Sequence, residues 1–290
     1  MVELVAGIID VFADAPLTGN PLAVVQGADE LTDEQMRRIA GEFNQAETTF
    51  IQSSARADWK LRSFTASGAE VFGAGHNALG AWLWLGERGD LGPLTTAQTF
   101  RQEIGPDVLP IELVSIDGRV HGRMRQAALR LLEPLDDVAP LATALGLDDG
   151  DILVEPAPRP ADTGAAHLMV RVRDASAVDN AVPVAAKLLA VLNKTPAEGC
   201  YIYAFDPTSP KAAYARFFNP TVGLWEDAAT GTAAGPLAGY LGAAGLLEND
   251  GIEIEQGTKM GRRSLLRLRL TPDPEISGTG ITVLRGVLQL

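Results

Sequence analysis

The chain has 290 residues, 46% hydrophobic and 21% charged, an ordinary globular composition with room for about two domains. Its formal net charge of −13 argues against nucleic acid as a partner and, less strongly, against an anionic membrane surface, since both recruit Lys and Arg. The single cysteine, Cys200, excludes an intramolecular disulfide and suits a reducing compartment. No basic segment followed by an apolar run opens the chain and no stretch of 18 apolar residues occurs, so the expected location is the cytoplasm.

In chain order, a strand is predicted from Leu4 to Phe12, a turn around Pro16-Leu17-Thr18-Gly19-Asn20-Pro21, and a strand from Leu22 to Val25. Thr32 with Gln35 three residues on forms a capping box for a helix to about Phe43. Strands follow at Thr48–Ile51 and Trp59–Phe64, then a helix over Gly75–Leu85 that is apolar on nearly every face and so should be buried all round. Arg119 to Arg125 alternates as a strand, and the acid- and proline-rich stretch from Glu133 to Pro140 resembles a crossing into a second half. Helices are expected at Ala139–Gly146 and Val182–Leu192, and strands at Leu168–Val172 and Tyr201–Phe205, which makes Cys200 a buried structural thiol. A second wholly apolar helix runs from about Thr232 to Ala244, with Gly245 as terminator. Strands at Ser264–Leu270 and Ile281–Leu290 close the chain.

The most informative segment is Glu226-Asp227-Ala228-Ala229-Thr230-Gly231-Thr232, a carboxylate pair leading into a small-residue loop and a buried helix. Free N–H groups of the first helical turn would face whatever the loop encloses. The alternative is a plain cap in which Thr230 or Thr232 only satisfies that turn. The construction occurs twice, because Phe72-Gly73-Ala74-Gly75-His76 feeds the first apolar helix in the same way, 156 residues earlier. Each copy is preceded by Arg and Phe two apart, Arg62/Phe64 and Arg216/Phe218. A repeat of this length predicts two related halves. The fold expected is α/β with mixed sheets, each half a curled sheet around one central buried helix and the site in the cleft between them. The first half should span 1–126, with the strand at about 281–290 returning to it, and the second 127–280.

Four segments carry a family resemblance: Asp10-Val11-Phe12 with Gly19-Asn20-Pro21-Leu22-Ala23-Val24-Val25, Ala46-Glu47-Thr48-Thr49-Phe50-Ile51, Gly75-His76-Asn77-Ala78-Leu79-Gly80, and Asp227-Ala228-Ala229-Thr230-Gly231-Thr232-Ala233. In order and spacing, across the whole chain, they resemble the PhzF family of phenazine biosynthesis, which has the diaminopimelate-epimerase-like fold. The resemblance implies a cofactor-independent isomerase acting on a small acidic molecule such as trans-2,3-dihydro-3-hydroxyanthranilate, in a homodimer. It implies that Glu47 moves a proton between ring carbons, a task suited to a carboxylate whose pKa is raised by desolvation. It makes His76, at the positive end of a helix dipole, and Asp227 the groups that orient and polarise the substrate. Gly75, Asn77, Gly231 and Thr232 become substrate-binding positions.

Two departures bear on the substrate. Asn77 and Ala78 stand where the family usually has Pro or Ala and then Thr, and no proline follows Phe64-Thr65. Isomerases of other pathways, including those acting on proline-derived precursors, are therefore an alternative, as is a non-catalytic protein that binds a small acid. An epimerase with two opposed cysteines lacks its residues in this chain. His121 and His167 read as structural, without partners, and no cluster has metal-ligand spacing.

Overall fold

The structure, a computed structural model, describes residues 2–206, 208, 212–222, 224–247, 250–270 and 273–290. The chain divides into two compact units, Met1–Met124 with Ser277–Leu290, and Arg125–Ile276. The first unit takes the strands β1 (Glu3–Val11) and β2 (Asn20–Gln26), helix α1 (Asp33–Phe43), and strands β3 (Glu47–Gln52), β4 (Trp59–Thr65) and β5 (Glu70–Val71). Helix α2 (His76–Arg88) and strands β6 (Gln98–Ile104), β7 (Asp107–Ile116) and β8 (Arg119–Arg125) follow. The second unit begins with β9 (Arg130–Leu131), α3 (Ala139–Leu145), β10 (Arg159–Asp162), β11 (Ala166–Arg171), α4 (Ala175–Asn180) and α5 (Ala185–Leu192). It continues through β12 (Gly199–Phe205), β13 (Ala212–Asn219), β14 (Leu224–Asp227), α6 (Gly231–Ala243), β15 (Gly251–Gln256) and β16 (Ser264–Arg269) into β17 (Glu275–Gln289).

The expected repeat is present at the level of strand pairing. In the first unit β2–β3 is parallel, β3–β4 and β4–β5 antiparallel, β4–β6 parallel and β6–β7 antiparallel. In the second, β11–β12, β12–β13, β13–β14, β13–β15 and β15–β16 repeat that sequence of senses. The first sheet also closes on itself: β7 pairs β8, β8 pairs β17, β17 pairs β1 and β1 pairs β2. Closure removes every unpaired edge from that ring. Helix α2 fills it, packing against β1, β2, β3, β4 and β7, and is buried without a break from His76 to Leu85. Helix α6 packs against β10, β11, β15 and β16 in the second unit and buries nearly every residue from Gly231 to Leu241. An all-apolar helix is stable only in such surroundings.

Close approach of helix and sheet dictates some sequence. A Cβ at Gly7 would lie 2.2 Å from the Leu284 carbonyl and 2.5 Å from the Trp84 ring of α2. Gly7→Ala should therefore destabilise the first unit by about 1–3 kcal/mol, read as a lower midpoint in calorimetry. An unchanged midpoint would show that β1 can move away from the helix.

The Arg–Phe repeat forms the same clamp in both units. Arg62 donates to both Glu70 oxygens at 2.7 and 2.8 Å and lies 5.1 Å over the Phe64 ring. Arg216 donates to both Glu226 oxygens at 2.8 and 2.9 Å and lies 4.8 Å over the Phe218 ring. Planar bidentate pairing with a stacked aromatic is a guanidinium geometry that Lys cannot copy.

Several sequence-based expectations are corrected. The helix predicted over Val182–Leu192 starts three residues late, as α5 at Ala185, because Pro183 disfavours a helical Val182 and Val184 is extended. The short helix α4 that ends before it at Asn180 was not predicted. The final strand starts at Glu275, six residues before its expected start. The hairpin β6–β7 and the strand β15 were not predicted at all. Gly105, at φ +56, makes the β6–β7 turn. Among the described residues no helix is long and apolar enough to cross a membrane.

Candidate active site

Glu47 opens β3, after a left-handed Asn44 (φ 49°) ends α1 and turns the chain back. Alternation puts Glu47 and Thr49 on the face of β3 that meets α2. Thr49 shares a hydrogen bond with Ser63 Oγ at 2.9 Å, and the Asn77 amide donates to the same Ser63 oxygen at 3.0 Å. The first turn of α2 is thereby tied to β3 and β4. His76, the first residue of α2 after the Gly75 cap, reaches Glu47 Oε2 through Nδ1 at 3.1 Å. The Glu47 side chain is 20% exposed and that of His76 9%. Burial pushes the Glu47 carboxyl up to about 7. At neutral pH it therefore populates both forms, as a group that accepts a proton and gives it back must.

Asn77, expected to bind substrate, has its amide committed elsewhere. Its Oδ1 accepts from the Gly75 N–H at 2.8 Å, and its two amide hydrogens go to Ser63 Oγ and the Gly73 carbonyl. It holds the Gly73–Gly75 loop in shape. That loop N–H of Gly75 is spent on Asn77 in turn.

In the second unit Asp227 closes β14 and accepts from the Thr230 hydroxyl at 2.6 Å. Thr230 precedes α6 but its side chain makes no capping bond, so the plain-cap reading is not realised. A residue absent from the predicted set organises this loop. Gln256, fully buried at the end of β15, donates to the Asp227 carbonyl at 2.8 Å and to Thr230 Oγ1 at 3.0 Å. Its Oε1 accepts from the Thr230 N–H and from Tyr201 Oη. The signal was legible: Ile252, Ile254 and Gln256 share one strand face, so an amide stands in an apolar phase. The Gly231 carbonyl accepts from Gln126 at 2.8 Å. Thr232 Oγ1 lies 3.1 Å from His167 Nε2, so His167, expected to have no partner, touches a predicted binding residue.

The two units differ at the position that matters most. Phe64 pairs Thr48 as Phe218 pairs Cys200, so Gly199 stands where Glu47 stands. No side chain fits there, since a Cβ would lie 2.4 Å from the Phe217 ring. Cys200 is buried in the second unit's core, and burial pushes its thiol far above the ordinary range. The sole thiol is thus neither exposed nor ionised. Among the described residues, no three His, Cys, Asp or Glu side chains form a metal-holding group.

Residues 9–286 match the family of phenazine biosynthesis-like proteins, PhzC-PhzF. The chain is 34% identical to the trans-2,3-dihydro-3-hydroxyanthranilate isomerase of Pseudomonas chlororaphis, over 98% of both chains. It is 30% identical to an uncharacterized isomerase of Bacillus subtilis, YfhB, over 90% of this chain and 88% of that one. The crystal structure of a PhzF-family phenazine biosynthesis protein of Bacillus anthracis superimposes over all of both chains, with a TM-score of 0.90 at 27% identity. The chain belongs to this phenazine biosynthesis-like family and is an isomerase.

Proposed function

We propose that the chain is a cofactor-independent isomerase that moves a proton between two carbons of a small unsaturated cyclic amino or hydroxy acid. The observation that carries this reading is the Glu47–His76 pair, a desolvated carboxyl titrating at about 7 and held by one imidazole nitrogen. The substrate offered is trans-2,3-dihydro-3-hydroxyanthranilate, supported by the relative of that name at 34% identity.

Ionised Glu47 removes a proton from a ring carbon, and the electron pair of the broken C–H bond passes into the diene. The same carboxyl then returns its proton to a second carbon, forming a new C–H bond. Substrate and product have one formula, so the step consumes no oxidant and no reductant. His76 holds Oε2, which leaves Oε1 to meet the carbon. Asp227 is assigned to orient the substrate, and Gly231 and Thr232, at the start of α6, to bind its carboxylate. Asn77 contributes by fixing the loop before His76.

The test is turnover of trans-2,3-dihydro-3-hydroxyanthranilate in deuterated water. The product should carry solvent deuterium at carbon, because a proton resting on Glu47 can exchange. kcat/KM should rise with pH and level off above about 7, since the base is the ionised form. A flat profile from pH 5 to 9 would remove Glu47 from the role. A second reading keeps the chemistry and changes the ring acid. Asn77 and Ala78 favour it, both buried in the first turn of α2 beside His76. Turnover of a different unsaturated cyclic acid, with the same pH profile, would select it.

A further inference from the structure

We propose that His167 is a positioning residue, whose Nε2–H holds the Thr232 oxygen so that the Thr232 hydroxyl hydrogen is presented to the substrate carboxylate. This rests on the carboxylate-binding role assigned to Thr232 above.

The two helix starts correspond, Gly75-His76 to Gly231-Thr232, and each second residue is met by a polar side chain from the sheet. In the first unit that side chain is Glu47. In the second its place is Gly199, and His167 lies beside Gly199 in the parallel pair β11–β12. The adjacent strand therefore supplies the contact that β12 cannot. His167 is 3% exposed and presses against the Phe217 ring at 4.9 Å, nearly edge to face.

The hydrogen positions follow from burial. Among the described residues His167 Nδ1 has no hydrogen-bond partner and is buried. A buried N–H without an acceptor is strongly unfavourable, and a bare ring nitrogen is less so. The proton of the neutral ring therefore sits on Nε2 and points to Thr232 Oγ1, 3.1 Å away. Burial drives the imidazole down to about 4, against the opposing pull of Asp162, which is itself paired with Arg130. The ring is neutral across the physiological range.

With its oxygen accepting from His167, Thr232 has one hydrogen left to give. A threonine within a helix often gives it to the carbonyl four residues back. Thr232 is only the second residue of α6, so position 228 lies outside the helix and that outlet is missing. The hydroxyl is left as a donor at a helix start, where an anion is favoured.

Two measurements on the full chain test this. Long-range proton–nitrogen correlation spectra resolve the tautomers of the three histidines, with His167 assigned by its loss in His167→Gln. The proposal requires the Nε2–H form at pH 7, unchanged down to pH 5; an Nδ1–H ring overturns it. Calorimetric binding of 3-hydroxyanthranilate, a stable ring acid, provides the second. His167→Leu and Thr232→Val should each weaken binding about tenfold, and the double variant should be no weaker than Thr232→Val alone. His167→Gln, which keeps an N–H donor at that reach, should bind like wild type. Additive losses, or full affinity in His167→Leu, would refute the coupling. A wild-type protein that does not bind the probe counts against the carboxylate site itself, and the tautomer still decides His167.

Discussion

Glu47→Gln is expected to lower kcat by at least about 10³-fold while substrate binding changes little, because the amide keeps the shape and cannot take a proton from carbon. Loss of solvent deuterium from the product should accompany the loss of rate. The same change has an opposite effect on stability, with a sign set by burial. The Glu47 carboxyl titrates at about 7 in the folded protein and at 4.5 without burial, so the folded state binds the proton more tightly. Stability from this group is fully present below pH 4.5 and is lost as pH rises through about 7. The shift corresponds to about 3 kcal/mol. The glutamine variant should therefore gain on wild type as pH climbs from 4.5 to 8, by up to that amount in denaturant titrations. A constant difference across that range would mean Glu47 is not desolvated. An active variant would mean that another group moves the proton.

Arg216→Leu should cost about 3–5 kcal/mol of stability, the range found when one partner of a buried ion pair is removed. The Arg216 side chain is 7% exposed and that of Glu226 10%, so the carboxylate left behind has little access to water. The guanidinium also donates to the Val178 and Ala181 carbonyls, both at 2.9 Å, and these acceptors lie at the end of α4. Their loss adds to the penalty. Removing both members, with Met at 216 and Leu at 226, should be milder than Arg216→Leu alone. The equivalent change at Arg62 should also be milder. That guanidinium is 18% exposed, and its second partner, Asp33, is 56% exposed. Equal losses at 62 and 216 in calorimetry would break the link between burial and effect.

The repeat was readable from the chain because both helices are apolar on every face and both clamps keep Arg and Phe two apart. What the sequence concealed was long-range. The β6–β7 hairpin lies between the first half's helix and the strand at Arg119, and it joins the rest of the sheet through β4, where Trp59 pairs Gln102. Glu47 and His76 were identified by motif, and their contact depends on Thr49, Ser63 and Asn77 tying helix to sheet. Asn77 looked like a ligand group because an amide beside a candidate site carries no sign of being saturated by its own loop. His167 looked inert because Thr232 is 65 residues away in sequence. Gln256 was the exception, a polar residue visible in an apolar strand phase.

The return of β17 to β1 has a consequence for how the protein is made. Residues 125–276 form an uninterrupted stretch, so the second unit has all its parts as soon as that stretch leaves the ribosome. The first unit, although translated earlier, lacks one stave until β17 emerges, with β1 and β8 each exposing an unpaired margin in the meantime. Birth order and completion order are reversed. The nascent first unit must wait, vulnerable to edge-to-edge association, while residues 125–276 are synthesised.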